Sequence, residues 1–222
     1  MKRLLPIVLF LLVSGRARGD EADEERPIAP TAEAWIAHLQ ACQKRIFSVE
    51  ARFTQALVHR LKPETEELSG TVRIRRTGGV RIDYTAPVRR LVVSDGTSLW
   101  VYDKETNQAL KSRADESLLP ALFELFLGPG DRKRFEATYL SGGTAGGAQV
   151  AVISLTPATR DPFVASIVLT LEDRCPSVRR VLVEDHSGSV TRVTLTALKT
   201  NVGIGNNLFR FTPPAGATIV QP

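Results

Sequence analysis

Residues 69–102 read SGTVRIRRTGGVRIDYTAPVRRLVVSDGTSLWVY, and this stretch decides the fold class of the chain. Apolar and polar residues alternate along it, and Gly or Pro residues separate the alternating segments, as in a series of β-hairpins. Val72 and Ile74 are expected on one face of the first strand, with arginines on the other. The same alternation places Arg76 on the apolar face, where a cation is unfavourable without a partner. Arg76 is therefore the first candidate functional residue, although a cation at a barrel rim can also extend to water.

The alternating pattern continues through most of the chain. It predicts strands near residues 50–61 and 69–112, and again between residues 133 and 212, where the last strand covers 207–212. About eleven or twelve strands joined by short turns indicate a large antiparallel sheet, which must curl toward a barrel. The predicted fold is mainly β with a helical lid: an incomplete antiparallel β-barrel of about 11 strands, covered by short helices around a hydrophobic cavity.

Two segments predict the covering helices. Thr31 can cap a helix that runs to about Phe47 and carries an apolar stripe. Residues 118–127, called the lid segment below, have almost no polar face and stop at the Gly-Pro-Gly sequence of residues 128–130. Such a helix must cover apolar surface, either as a lid or as a simple core plug. Its candidate lid residues are Leu118, Leu122, Phe123 and Phe126.

The beginning of the chain predicts export. Residues 1–19 combine a basic start, an apolar run of about ten residues and a small-residue cleavage site near Gly19, which is typical of a signal peptide. Residues 20–30 predict a disordered acidic linker, and residues 31–222 a single domain. No Cys lies near the cleavage site to carry a lipid. We therefore expect a periplasmic protein.

The basic character of the chain depends largely on the predicted signal peptide. The whole sequence has a net charge of +5, but the first 19 residues contain four basic residues and no acidic ones. The remaining chain has 25 basic and 24 acidic residues, so its net charge is +1. Nucleic acid is therefore not an expected partner.

Cys42 and Cys175 are the only cysteines. An oxidising compartment permits a disulfide between them. The alternative is two separate thiols, because Cys42 lies on the apolar stripe of the predicted first helix, where a buried free Cys is common. Neither spacing indicates a metal site.

The sequence offers no constellation that predicts catalysis. Its three His residues fall on a helix, a strand and a turn, without ligand spacing, and no nucleophile motif is present. We therefore expect neither enzymatic activity nor a cofactor. The arginines of residues 73–90 could form an anion-binding patch, but most fall on the predicted outer face, where solvated strand surface is the alternative.

Several motifs, in order, resemble those of the LolA family of outer-membrane lipoprotein carriers. They are SVEARFTQ at residues 48–55, the strands at 70–84, LVVSDG through LWVY at 91–102, LTP at 155–157 and FRFTPPAG at 209–216. The chain departs from the family at Thr77, Val80 and Ile82, where a proline and aromatic residues are usual. The resemblance thus implies a less aromatic cavity wall.

The resemblance implies a hydrophobic cavity for the acyl chains of lipoproteins. Family members accept lipoproteins from an inner-membrane ABC transporter and pass them to an outer-membrane receptor, and we expect a monomer. The family's lid-holding arginine falls on Arg76. We expect the cavity to be lined by Val72, Ile74, Val80, Ile82 and Tyr84. A periplasmic lipid-binding sensor or regulator, or a carrier of another amphiphile such as a glycolipid, remains an alternative, whereas the missing lipid-attachment Cys argues against an anchored receptor.

Overall fold

The computed structural model describes residues 27–60, 64–116, 135–175 and 177–220. These residues form one α-helix, α1 (Ala32–Lys44), and twelve strands. The strands are β1 (Ser48–Val58), β2 (Thr65–Arg75), β3 (Val80–Ala86), β4 (Arg90–Ser94), β5 (Ser98–Asp103), β6 (Gln108–Arg113), β7 (Phe135–Ala145), β8 (Ala148–Pro157), β9 (Ser166–Glu172), β10 (Val178–Glu184), β11 (Val190–Thr200) and β12 (Thr218–Val220). Short 3-10 helices follow β6 at Ala114–Glu116 and β11 at Asn206–Phe209.

All twelve strands belong to one sheet, in the order β12-β6-β5-β4-β3-β2-β1-β11-β10-β9-β8-β7. Every pair is antiparallel except β12 with β6, which is parallel. The edge strands β12 and β7 are not paired with each other, so the sheet is open. The prediction of a mainly β fold with an incomplete antiparallel barrel is confirmed, with twelve strands in place of about eleven.

Helix α1 packs on one face of this sheet, which we call the inner face. Thr31 caps the helix as predicted, since its Oγ1 accepts a hydrogen bond from the Ala34 N–H over 3.2 Å. The buried side chains of Trp35 and Leu39 join one hydrophobic cluster with residues from both halves of the sheet, such as Ile153. Burial of this apolar surface is the main term that holds the helix against the strands.

The segment after β11 crosses the opposite, outer face. The ring of Phe209 lies directly over Gly79, where an added Cβ would approach its Cγ to 2.5 Å. Phe211 contacts Trp100 and Tyr102, with ring centroids 5.6 and 5.4 Å apart. We call residues 201–217 the outer strap. Phe209 and Phe211 thus cover part of the outer face in the first half of the sheet.

The predicted strand at 207–212 is wrong. Its alternating phenylalanines lie partly in the 3-10 helix Asn206–Phe209, and only the later residues Thr218–Val220 form a strand. The alternation has another cause: Phe209 and Phe211 contact the outer face of the sheet through their rings instead of joining an edge by backbone hydrogen bonds.

Some predicted segments fall outside the described residues. These are the signal peptide, most of the acidic linker and the whole lid segment with Leu118, Leu122, Phe123 and Phe126. Within the described ranges, no helix is long and apolar enough to cross a membrane.

Candidate functional site

The inner face carries a row of apolar side chains that the rest of the described chain does not bury completely. Cross-strand register aligns Val72 with Ile82, Ile82 with Val92, Val92 with Val101, and Val101 with Leu110, on five successive strands. The first four side chains are half-buried and Leu110 is exposed. We call these five residues the apolar row. A continuous aliphatic surface of this kind suits a hydrocarbon ligand.

The five predicted wall residues divide into two groups. Val72, Ile82 and Tyr84 are half-buried on the inner face, where a ligand could contact them. Ile74 and Val80 are only 1% and 2% exposed and belong to the core near α1. Sequence reasoning missed Val92, Val101 and Leu110, although the same alternation in β4, β5 and β6 places them on this face.

Arg76 is held at the C-terminal end of α1. Its Nε donates to the carbonyl oxygen of Ile46 over 3.0 Å, and its guanidinium also donates to the carbonyl of Gln43. Its backbone N–H donates to the Phe47 carbonyl over 2.9 Å, and the guanidinium carbon lies 5.7 Å from the Phe47 ring centroid. A cation is favourable at this end of a helix, where carbonyl groups lack intrahelical partners.

The carbonyl groups of Gln43 and Ile46 are the hydrogen-bond partners that the inward-facing Arg76 requires. These partners are carbonyls at and just after the end of α1, whereas the sequence predicted carbonyls of the lid segment. Its expected contacts with the lid segment concern residues that the structure does not describe and stay a prediction. Among the described contacts, the carbonyls of Gln43 and Ile46 are what satisfies this half-buried cation.

Cys42 and Cys175 form a disulfide. The sequence had left open whether they pair or remain two separate thiols. It joins the buried side of α1 to the turn between β9 and β10, with Cα atoms 5.4 Å apart. His38 lies one helical turn earlier, and its Nε2 is 3.5 Å from the Cys42 Sγ. Helix α1 is therefore attached covalently to the second half of the sheet and by Arg76 to the first half.

A polar pair lies in the middle of the inner face. The Tyr84 hydroxyl donates to the Oε1 of Gln55 over 3.1 Å, and the Tyr84 ring meets Phe53 edge-on at 5.3 Å. The ring reaches across β2 at Gly70, where any Cβ would lie 2.1 Å from the Asp83 carbonyl oxygen and 3.0 Å from Phe53. Burial raises the pKa of the Tyr84 phenol, and the nearby Arg90 guanidinium partly offsets this rise.

Two arginines of the outer face, Arg73 and Arg81, pair with carboxylates, whereas Arg75 donates to the Thr77 hydroxyl and to the Asn206 side chain. Arg73 contacts Glu50 at 2.7 Å and Asp83 at 3.3 Å, and Arg81 contacts Asp83 at 2.8 Å. Arg81 also donates to the Leu208 carbonyl of the outer strap over 3.3 Å. These contacts favour a paired strand surface over an anion-binding patch.

Comparison with known proteins places the chain in a family. The sequence model of the outer membrane lipoprotein carrier protein LolA matches residues 44–212. A protein of Alcanivorax borkumensis named outer-membrane lipoprotein carrier protein is 30% identical over 100% of this chain and 99% of its own length. A protein of the same name from Alkalilimnicola ehrlichii is 31% identical over 88% and 87% of the two chains.

A solved structure shares the fold. An uncharacterized conserved protein from Thermus thermophilus superposes with a TM-score of 0.55 at 13% identity, covering 86% of this chain and 99% of that one. The family model covers most of the chain, and the Alcanivorax borkumensis relative is 30% identical over nearly its full length. The chain belongs to the LolA family of outer-membrane lipoprotein carrier proteins.

Proposed function

We propose that this protein carries lipoproteins through the periplasm by holding their acyl chains against the inner face of its sheet. The observation that carries the proposal is the apolar row, an aliphatic surface that crosses five strands and stays partly accessible. Each CH₂ group removed from water contributes about 0.8 kcal/mol, so a long acyl chain gains several kcal/mol on this surface. The lid segment would cover the bound acyl chain on the side that faces away from the sheet.

Arg76 makes this binding reversible in the proposed cycle. In this cycle the closed state keeps the hydrogen bonds from its guanidinium to the carbonyls of Gln43 and Ile46, at and just after the end of α1. Cargo that displaces α1 or the lid segment from Arg76 breaks such bonds, and release restores them. Each charge-assisted bond is worth about 1.5–3 kcal/mol, which offsets part of the gain from chain burial.

The proposed route follows from the family membership. Relatives named outer-membrane lipoprotein carrier proteins match nearly the full length of the chain. We propose that the protein receives lipoproteins from an inner-membrane ABC transporter and delivers them to an outer-membrane receptor, as a monomer without enzymatic activity. Residues 1–19 direct its export and are cleaved near Gly19.

The Arg76→Leu substitution tests the proposal. Without the competing hydrogen bonds, the variant should take up lipoprotein from inner-membrane vesicles containing the transporter but pass less of it to outer membranes, with transfer reduced at least about tenfold. Arg52 is an exposed arginine of β1, so Arg52→Leu is a matched control that should transfer like the parent. Arg76→Lys keeps the charge but loses the branched donor geometry, and should be intermediate.

Mass spectrometry of material copurified from the periplasm tests the cargo itself. Acylated proteins bound to the parent protein support the lipoprotein carrier. Recovery of a glycolipid or another amphiphile, with no acylated protein in any growth condition, would replace this cargo assignment. Equal transfer by the parent and the Arg76→Leu variant would refute the role given to Arg76.

A further inference from the structure

Gln55 is a polar residue in a row of aliphatic side chains on the inner face. Cross-strand register aligns Ile153, Leu169, Val181, Val193, Gln55 and Leu68 on six successive strands, and all of them except Gln55 are aliphatic. Gln55 lies on β1, which together with β2 occupies the middle of the twelve-stranded sheet. Its amide is therefore surrounded by hydrocarbon along the sheet in both directions.

The hydrogen bond with Tyr84 orients this amide. Because the Tyr84 hydroxyl donates to Oε1, the two hydrogens of Nε2 remain available. No described residue accepts a hydrogen bond from Nε2 of Gln55. Gln55 is half-buried, so a ligand that lies against this face would displace the remaining water from Nε2, and an acceptor on that ligand would offset the loss.

Acyl chains supply such an acceptor only at one end. Their methylene groups cannot accept hydrogen bonds, but the ester that joins each chain to a glyceryl group has a carbonyl oxygen. The apolar row begins at Val72, beside Gly70 and Tyr84, and extends over five strands to Leu110. Four strand spacings amount to roughly 19 Å, enough for a long chain to run from the polar pair toward the sheet edge.

We propose that Gln55 and Tyr84 form the subsite that binds the ester carbonyl groups at the glyceryl end of the bound acyl chains. This inference rests on the proposed carrier function and adds a fixed position for the cargo within it. Gln55 donates the hydrogen bond, and Tyr84 holds the amide in the orientation that presents Nε2. Gly70 permits the arrangement because any side chain there would collide with Phe53 and the Asp83 backbone.

A pair of synthetic lipopeptides can test the subsite. One carries a diacylglyceryl cysteine with ester-linked chains, and the other carries the same chains as ethers, which lack carbonyl oxygens. The parent protein should bind the ester-linked peptide about tenfold more tightly, as expected for one or two hydrogen bonds. We call the affinity for the ester-linked peptide divided by that for the ether-linked peptide the ester-to-ether ratio. Gln55→Leu should reduce this ratio to about one while leaving the affinity for the ether-linked peptide unchanged.

Tyr84→Phe keeps the ring and removes the hydroxyl, so it should reduce the ratio only partly. Tyr102 lies on the outer face, where its hydroxyl donates to Asn107 over 2.9 Å, and Tyr102→Phe is the matched control that should retain the full ratio. Circular dichroism and thermal unfolding confirm that each variant is folded before its affinities are compared.

The outcomes separate this inference from the proposed function. If the parent protein binds both lipopeptides equally, or if Gln55→Leu preserves a tenfold ratio, the subsite is refuted while the carrier function stands. If the parent binds neither lipopeptide, the carrier function itself fails. A ratio that disappears in Gln55→Leu, decreases in Tyr84→Phe and persists in Tyr102→Phe supports the subsite.

Discussion

Removal of the disulfide should destabilise the protein strongly. Cys42 and Cys175 are separated by 133 residues, so the bond closes a loop that includes most of the sheet. In the chain-entropy model, a loop of this length restricts the unfolded chain enough to stabilise the folded state by about 5 kcal/mol. Such an amount is a large fraction of the stability of an ordinary domain.

Cys175→Ala is the better variant for this test. Cys175 is exposed in the turn between β9 and β10, whereas Cys42 is 1% exposed beneath α1. Substitution of Cys175 therefore removes the bond without opening a cavity in the core. The parent protein in the presence of a reductant provides a second route to the same state with no change of sequence.

Urea unfolding of the mature protein measures the effect. With a slope of about 2.5 kcal/mol per molar urea, a loss of about 5 kcal/mol lowers the midpoint by roughly 2 M. The reductant should shift the parent to the midpoint of Cys175→Ala and leave that variant unchanged. Hydrogen exchange should also become faster in α1, because the helix loses its covalent attachment to the second half of the sheet.

Thiol titration of the denatured, unreduced parent decides how to interpret a negative result. If it shows no free thiol and both the reduced parent and Cys175→Ala still unfold at the parent midpoint, the loop-closure argument is refuted. If it shows free thiols, the bond itself is not formed in solution.

Two further predictions concern the outer strap and one hairpin. Phe209→Ala should lower the free energy of unfolding by about 3–5 kcal/mol because the ring is 3% exposed, whereas Phe163→Ala, at 42% exposure, should cost much less in the same urea experiment. The N–H groups of Ser98 and, to a smaller extent, Thr97 donate to the Asp95 carboxylate and hold its pKa below the usual value. The ionised carboxylate therefore stabilises the fold above the usual pKa of Asp, and this contribution is lost as the pH falls through the lowered pKa. Asp95→Asn should weaken that acid dependence; an unperturbed Asp95 carboxyl titration by NMR would contradict the assignment.

Local patterning predicted the parts of the fold that depend on one strand at a time. Period-two alternation placed Val72 and Ile74 on the inner face, and its continuation placed Arg76 there too. The same rule could have located Val92 and Val101. The Thr31 cap was also predictable, because the hydrogen bond involves residues only three positions apart.

The predictions failed or stayed open where distant segments compete for the same residues. Alternation at Phe209 and Phe211 is compatible with a strand and equally with two rings pressed on an existing sheet. The pairing of Cys42 with Cys175 depends on where α1 lies relative to β9 and β10, which no local pattern encodes. Gln55 could be assigned to the inner face by alternation, but its hydrogen bond to Tyr84 depends on the register of β1, β2 and β3.

The attachments of α1 limit how the proposed carrier can open. The disulfide at Cys42, the Arg76 bonds and the side chain of Asn201, which donates to the Arg45 carbonyl over 3.0 Å, all act at the C-terminal end of the helix. An intact disulfide prevents α1 from leaving the sheet, so loss of the Arg76 bonds must occur through a small movement about Cys42. Because Gln43 and Ile46 stay close to that fixed point, their carbonyls remain near Arg76 and the bonds can form again on release. In the oxidised protein this geometry favours reversible opening, and reduction should therefore slow the recovery of the closed state after cargo transfer.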